Sequence, residues 1–287
     1  CDRLRHLAAK ANKDEFFVYM KENTCEDALR EFATALPPPE SLISMVPIIQ
    51  PRLYSIASAP LKHESTIQIA VVVFDWKTFD GKARRGLCTG HLWGLEAGAK
   101  VAIDVRQGIL VPPAAPSRSM YLCGLGTGVA YIRAFCQNRE MLMKQPDVEL
   151  GDCEVLYACR HEKKDFIWKD EWDAWKKSGV VTGMRTPFSH DVAKGEPLYF
   201  AKTDIEKFPE HAANVCVQPK GCYYYCGPAM ANPGAMAKKA STAVGIDKGI
   251  ELAVQAALQK VARRTEDEAA AFIEGMKVSG RWNTESF

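Results

Sequence analysis

The sequence predicts a mixed α/β chain in three successive parts: short helices, then an antiparallel sheet or barrel, then a parallel sheet flanked by helices. Three observations predict it. Apolar residues recur at helical spacing through the first fifty residues, and β-branched residues crowd the stretch 65–74. From residue 119 onward short apolar runs alternate with helical patterns, which is how βαβ units read in sequence. At 287 residues, 47% hydrophobic and 25% charged, the chain has the balance of a globular protein and not of a disordered one. Its 37 basic against 35 acidic residues leave a net charge of +2, too little for sequence-independent binding to nucleic acid, so no nucleic-acid partner is expected. No apolar run approaches the roughly twenty residues of a membrane helix. Ten scattered cysteines form no disulfide framework and are expected to be reduced thiols.

The elements follow in order. Leu4, Leu7 and Ala8, then Phe16, Phe17 and Met20, then Ala28, Leu29, Phe32 and Leu36 predict three short helices, with Thr24 and Asp27 spaced as a capping box. Pro37, Pro38 and Pro39 are expected to stop the last of them. Ser65 to Phe74 and Lys100 to Arg106 read as strands, and Pro112 to Pro116 as a linker. Beyond it, strands are expected at Ser119 to Cys123, Glu154 to Cys159, Val180 to Thr182 and Cys222 to Cys226. Helices are expected to about Met143, around Asp170 to Lys177, and over Asp204 to Val217, Ala229 to Ala243, Lys248 to Arg263 and Glu266 to Met276. An extended tail, Arg281 to Phe287, ends the chain. The domain expectation is 1–50 helical, 51–116 barrel and 117–287 nucleotide-binding sheet.

Four places could carry chemistry. Gly124-Leu125-Gly126-Thr127-Gly128 joins a strand to a helix, where free amides favour a phosphate, although a plain tight turn reads the same way. Arg52-Leu53-Tyr54-Ser55 would put Arg52 and Tyr54 on one face of a strand, against the alternative of an edge strand with a surface arginine. Gly86-Leu87-Cys88-Thr89 precedes a helical stretch, with an N-cap at Thr89 as the simpler reading. His211, Cys216, Cys222 and Cys226 lack the paired-cysteine spacing of a zinc knuckle, and no metal is expected.

Taken in order, these motifs resemble the reductase half of the diflavin family, which includes NADPH-cytochrome reductase, the sulfite reductase flavoprotein and the nitric oxide synthase reductase region. All are built on the ferredoxin-NADP reductase fold. Arg52 to Ser55 resembles that family's Arg-x-Tyr-Ser, Gly86 to Leu92 its Gly-x-Cys-Ser/Thr-x-x-Leu, and Gly124 to Gly128 its Gly-x-Gly-Thr-Gly. Ala158-Cys159-Arg160 with Asp165-Phe166 is similar to the next motif, Tyr224 to Gly227 to the Tyr-x-Cys-Gly turn, and Arg281 to Phe287 to the C-terminal tail.

The resemblance implies a flavoprotein reductase that transfers a hydride from NADPH to FAD and passes electrons to an FMN-binding or flavodoxin-like partner, in cis or trans, or to a haem or iron-sulfur acceptor. It implies catalytic roles for Ser55, Cys226, Glu285 and Phe287. Tyr54 would lie against the flavin, Ser55 would bond its reactive nitrogen, and Phe287 would cover its other face. Arg52 and the turn Gly86, Leu87, Cys88 and Thr89 would bind the FAD diphosphate. Gly126, Thr127, Gly128 and Arg160 would meet the NADPH diphosphate, Cys226 would sit beside the hydride-donating carbon, and Glu285 would complete a polar set with Ser55 and Cys226. Arg185 stands where the 2′-phosphate grip is expected. Tyr131 replaces a proline and would place a ring near the nicotinamide entrance. Against that family the chain starts inside the helical insert, so barrel strands are expected to be absent and FAD to be held weakly or not at all. The expected location is cytoplasmic, or the cytoplasmic face of a membrane if an upstream anchor exists. The alternative function is a non-catalytic nucleotide-binding or docking module.

Overall fold

The computed structural model describes residues 2–229 and 245–287. They divide into two compact units, one of the residues up to Leu53 with Val72–Val101, the other of Tyr54–Val71 with Ala102–Phe287. The helix expected over Ala229 to Ala243 lies, beyond Ala229, outside the described residues. Among the described residues no helix is long and apolar enough to cross a membrane.

The first unit is made of local structure. Helices α1 (Asp2–Ala8), α2 (Lys13–Glu22), α3 (Cys25–Glu31) and α4 (Pro39–Met45) lead to a hairpin of β1 (Asp75–Lys77) with β2 (Ala83–Arg85), followed by α5 (Leu87–Trp93). The expected capping box is present: the Thr24 hydroxyl accepts from Asp27 N and the Asp27 carboxylate accepts from Thr24 N. Arg84 of β2 reaches the same carboxylate at 2.7 Å. The helical run ends at Ala35, ahead of the proline run, and Pro39 then opens α4, where a missing N–H costs nothing.

The strands expected over 65–74 and 100–106 do not form. Within the first stretch stands one bridge, Ile56 to Ile69, and the short β1 begins just after it. Val72, Ile103 and Val105 are more than half exposed. β-branched composition favours a strand only where a neighbour supplies the ladder and the packing, and among the described residues no regular ladder forms along these stretches.

The second unit holds a five-stranded sheet, all parallel, in the order β5-β4-β3-β6-β7. Its strands are β3 (Met120–Leu125), β4 (Cys153–Ala158), β5 (Gly183–Arg185), β6 (Cys222–Gly227) and β7 (Trp282–Ser286). Residues alternate between two cores. Tyr121, Cys123, Tyr223 and Tyr225 face one apolar layer, made with α9 (Ala201–Lys207), α10 (Pro209–Val217), α11 (Ile246–Ala262) and α12 (Glu266–Val278). Met120, Leu122, Tyr224 and Cys226 face the other, made with α6 (Ala130–Leu142) and α8 (Lys169–Ser178). A one-turn helix, α7 (Glu162–Asp165), precedes α8.

Three expectations shift here. The third strand starts at Gly183, because Val180 and Val181 are buried in the preceding loop. The helix over 204–217 is two helices, broken at Phe208 where Pro209 starts the second. The tail is a full strand, with Trp282 stacked on Tyr223 at 3.8 Å. Pro112 to Pro116 lies within the second unit, where Val111 O accepts from the Tyr224 hydroxyl and Pro116 O from Gly151 N.

Candidate active site

Strand order reverses between β3 and β6, since the chain runs outward from β3 through β4 to β5 and then returns to β6 on β3's other side. Open parallel sheets bind ligands at such a switch point, beyond the carboxyl ends of the strands. The Gly124 to Gly128 motif occupies that place, and each glycine has its own reason. Gly126 holds a φ of +57° and borders open space. A Cβ on Gly124 would come 2.8 Å from Ile132, and one on Gly128 would come 2.1 Å from the Cys226 carbonyl. Two of the three are thus demanded by the protein's own packing. Half-buried Thr127 sits on the single 3-10 turn over Gly126–Val129 that leads into α6. Its backbone amides lie at the start of the helix, a place that suits a nucleotide diphosphate.

Three side chains distant in sequence converge on the end of β6. Cys226 and Glu285 are register partners in the β6–β7 ladder, and the thiol points at the Glu285 carboxylate, 4.0 Å away. Ser55 hydrogen-bonds the same sulfur. Burial, with the Glu285 charge adding to it, pushes the Cys226 thiol up to about 12, while the Ser55 hydroxyl pulls the other way. At neutral pH the sulfur is therefore a protonated donor. Phe287 follows directly. Its N–H donates to Gly227 O, its carbonyl accepts from Ala229 N, and its ring is exposed.

At the end of β4, Arg160 is 70% exposed and 3.7 Å from Asp165. The chain beyond β5 pairs again with β4 through Cys159 and Phe188, which sets Ser189 and His190 beside Arg160. His161 pairs with Asp191 at 2.7 Å, and its ring lies 5.4 Å from that of His190. The sequence reading missed this cluster, because only a backbone pairing outside any regular strand brings 159–161 and 187–191 together. Arg185 is occupied elsewhere. It makes two bonds to the buried Asp204 carboxylate, at 2.7 and 2.9 Å, and stacks on Phe208.

In the first unit, Arg52 donates to Gln50 O and is exposed. Residues 51–55 form no strand, so no face alternation is imposed on Arg52 and Tyr54; half-buried Tyr54 belongs to the second unit. Leu87, Cys88 and Thr89 form the first turn of α5 and do not precede a helix. Gly86 is the N-cap there, not Thr89, and a Cβ on it would meet Thr89 Oγ1 at 2.6 Å. The Thr89 hydroxyl accepts from Phe74 N and donates to Gly86 O.

Comparison with known proteins accounts for both parts. Residues 2–91 match the family model "FAD binding domain", and residues 122–235 match "Oxidoreductase NAD-binding domain". The chain is 32% identical over 254 residues to methionine synthase reductase of Bos taurus, covering 79% of this chain and 36% of that protein. It is 29% identical over 206 residues to a probable NADPH sulfite reductase flavoprotein component of Schizosaccharomyces pombe, covering 71% and 20%. To the NADPH–cytochrome P450 reductase of Drosophila melanogaster it is 28% identical over 205 residues, covering 70% and 30%.

The chain belongs to the diflavin reductase family. It represents the FAD- and NADP-binding half of such a reductase and spans 20–36% of the length of these three relatives. The cofactors of that half are FAD and NADPH. Within this family frame one departure is corrected. Tyr131 is 4% exposed, packs edge-on against Phe135, and sets its hydroxyl between the carbonyls of Cys123 and Tyr224 at 3.1 and 3.2 Å. Its ring pins β3 to β6 at the switch point and does not line an entrance.

Proposed function

We propose that this chain is the NADPH-oxidising, FAD-containing portion of a diflavin reductase, delivering electrons to an FMN-binding domain or to a haem or iron-sulfur acceptor. The observation that carries this reading is the meeting of Ser55, Cys226 and Glu285 at the switch point of a parallel sheet. The cofactors supply the hydride chemistry: NADPH donates the hydride and FAD accepts it. The chain's part is to align and to stabilise charge. Cys226 keeps its proton and offers a polarisable donor at the strand end, Glu285 holds that S–H in direction, and Ser55 shares its hydroxyl with the sulfur.

On this reading the Gly126 to Gly128 amides, Thr127 and exposed Arg160 hold the nucleotide diphosphate. Arg185, its charge matched by Asp204, shapes the neighbouring loop more than it grips a phosphate. Tyr54 and Phe287 take the flavin-facing roles, and Arg52 with Gly86 to Thr89 the FAD diphosphate. The division into 1–50, 51–116 and 117–287 is the matching domain proposal.

The test is single-turnover flavin reduction in FAD-loaded protein mixed with NADPH. Groups that act in the transition state slow the chemical step more than they weaken binding. Ser55→Ala and Cys226→Ala should each slow reduction about ten-fold or more, about 1.4 kcal/mol or above per site, with NADP affinity nearly unchanged. Wild-type rates in both variants would remove the set from catalysis and favour a docking module.

A further inference from the structure

Ser55 reaches Cys226 from a segment, Tyr54–Val71, that joins no strand of the five-stranded sheet although it belongs to the same unit. One face of α6 holds that segment, through residues spaced four and three apart. Arg133 Nη1 donates to Ala57 O at 2.8 Å and to Gln68 Oε1 at 2.6 Å. Gln137 Oε1 accepts from Ala59 N at 3.0 Å, and Glu140 pairs with Lys62 at 2.7 Å. The gripped stretch closes on itself, because Ala57 N donates to Gln68 O and Gln68 N to Ser58 Oγ.

The other edge of the same guanidinium is clamped from α8. Nε and Nη2 bond Glu171 at 2.9 and 2.7 Å, and the Trp168 ring lies 4.7 Å away. Trp168 takes that place at a φ of +60°, a region costly for a bulky side chain. The Arg133 side chain is 8% exposed. For stability alone, apolar side chains of similar volume often replace a buried ion pair without loss. What a planar fork adds is register: it binds Glu171 on one edge and fixes the Ala57 carbonyl on the other, two residues from Ser55, about 7 Å of extended chain.

We infer that Arg133 and Gln137 are positioning residues that set Ser55 against Cys226, acting through the Tyr54–Val71 segment. The geometric claim stands on these contacts, and its catalytic consequence rests on the hydride role proposed above.

The experiment is alkylation of the native full chain with iodoacetamide, each cysteine's rate being read by mass spectrometry. The variants are Gln137→Ala, which removes one bond, and Arg133→Met. Each should label Cys226 at least about ten-fold faster, with Cys123, Cys153 and Cys216, buried in the two cores, unchanged. An unchanged Cys226 rate overturns the inference. So does a rise shared by all four thiols, which would make the two residues general stabilisers; if Arg133→Met does not fold, Gln137→Ala decides alone. If Cys226 is uncovered as expected but Ser55→Ala still reduces flavin at the wild-type rate, the hydride role fails and the positioning stands.

Discussion

Among the described residues, the unit made of the residues up to Leu53 and Val72–Val101 buries three side chains, Leu7, Phe32 and Thr78. The other unit buries six sheet tyrosines and tryptophans, Tyr121, Tyr157, Tyr223, Tyr224, Tyr225 and Trp282, with two helical layers over them. The first is organised mostly by contacts close in sequence, the Thr24 capping box, the β1–β2 hairpin and exposed ion pairs such as Arg30–Glu26 and Arg85–Asp75, with Arg84–Asp27 as a longer tie. The second is organised by parallel pairings that span tens of residues. Local hydrogen bonds and surface ion pairs contribute little each, whereas buried aromatic area dominates a fold's stability. The comparison teaches that the parallel-sheet unit carries most of the stability, and that the proposed hydride site is anchored there.

The sharpest way to break that comparison is at a glycine. Gly128→Ala drives a methyl toward the Cys226 carbonyl and should cost about 3 kcal/mol or more. Gly98→Ala in the first unit stands at positive φ, +94°, but meets open space, and should cost about 1 kcal/mol. Thermal denaturation of the two variants measures the difference. Trp282→Ala removes the ring stacked on Tyr223 and should cost about 3–5 kcal/mol, whereas Trp93→Ala, 69% exposed in the first unit, should stay within about 0.5 kcal/mol.

A pH scan reads the buried thiols and phenols of the sheet unit in alkali and the paired carboxylates of the first unit in acid. In the sheet unit burial raises the Cys216 and Cys226 thiols to about 12 and raises the Tyr121, Tyr223 and Tyr225 phenols as well. The native state then keeps protons that the unfolded chain releases, so stability is full below the ordinary thiol and phenol values and falls as pH rises from about 9 toward 12. In the first unit the Thr78 hydroxyl lowers Asp80 to about 2, and the Thr24 and Arg85 bonds lower Asp27 and Asp75. Their contribution is present above the ordinary carboxylate value and is lost as pH falls from about 4 toward 2. Near-ultraviolet circular dichroism, which reports the buried aromatics, should collapse in alkali. Within the sheet unit a smaller effect is Tyr131→Phe, which removes the hydroxyl between Cys123 O and Tyr224 O and should cost about 1 kcal/mol by denaturant titration.

Much of the sheet unit was legible in the sequence because its signals are long in range and strong. Short apolar runs between helical patterns placed β3, β4 and β6, and the order of motifs brought Ser55, Cys226 and Glu285 to one point. The antiparallel part was legible only as composition. Nothing in the residues 65–74 or 100–106 states whether a partner strand will be there to pair with them. Arg133 and Gln137 were hidden for a different reason, since polar residues on an amphipathic helix read as its solvent face. Only the folded-back Ala57 and Ala59 backbone turns them into a grip. Arg185 misled because a cation at a strand end reads as a phosphate ligand until the buried Asp204, nineteen residues on, is seen to match its charge.

The central claim is that a nicotinamide nucleotide binds at the β3–β6 switch point, against the end of the strand that bears Cys226. Hydrogen exchange of the full chain with and without saturating NADP+ tests it most directly. Protection should rise about ten-fold or more at Leu125 to Gly128 and at Cys226 to Gly227, with exchange in the residues up to Leu53 and Val72–Val101 unchanged. Unchanged exchange at both strand ends under saturating NADP+, or protection confined to the first unit, would contradict it.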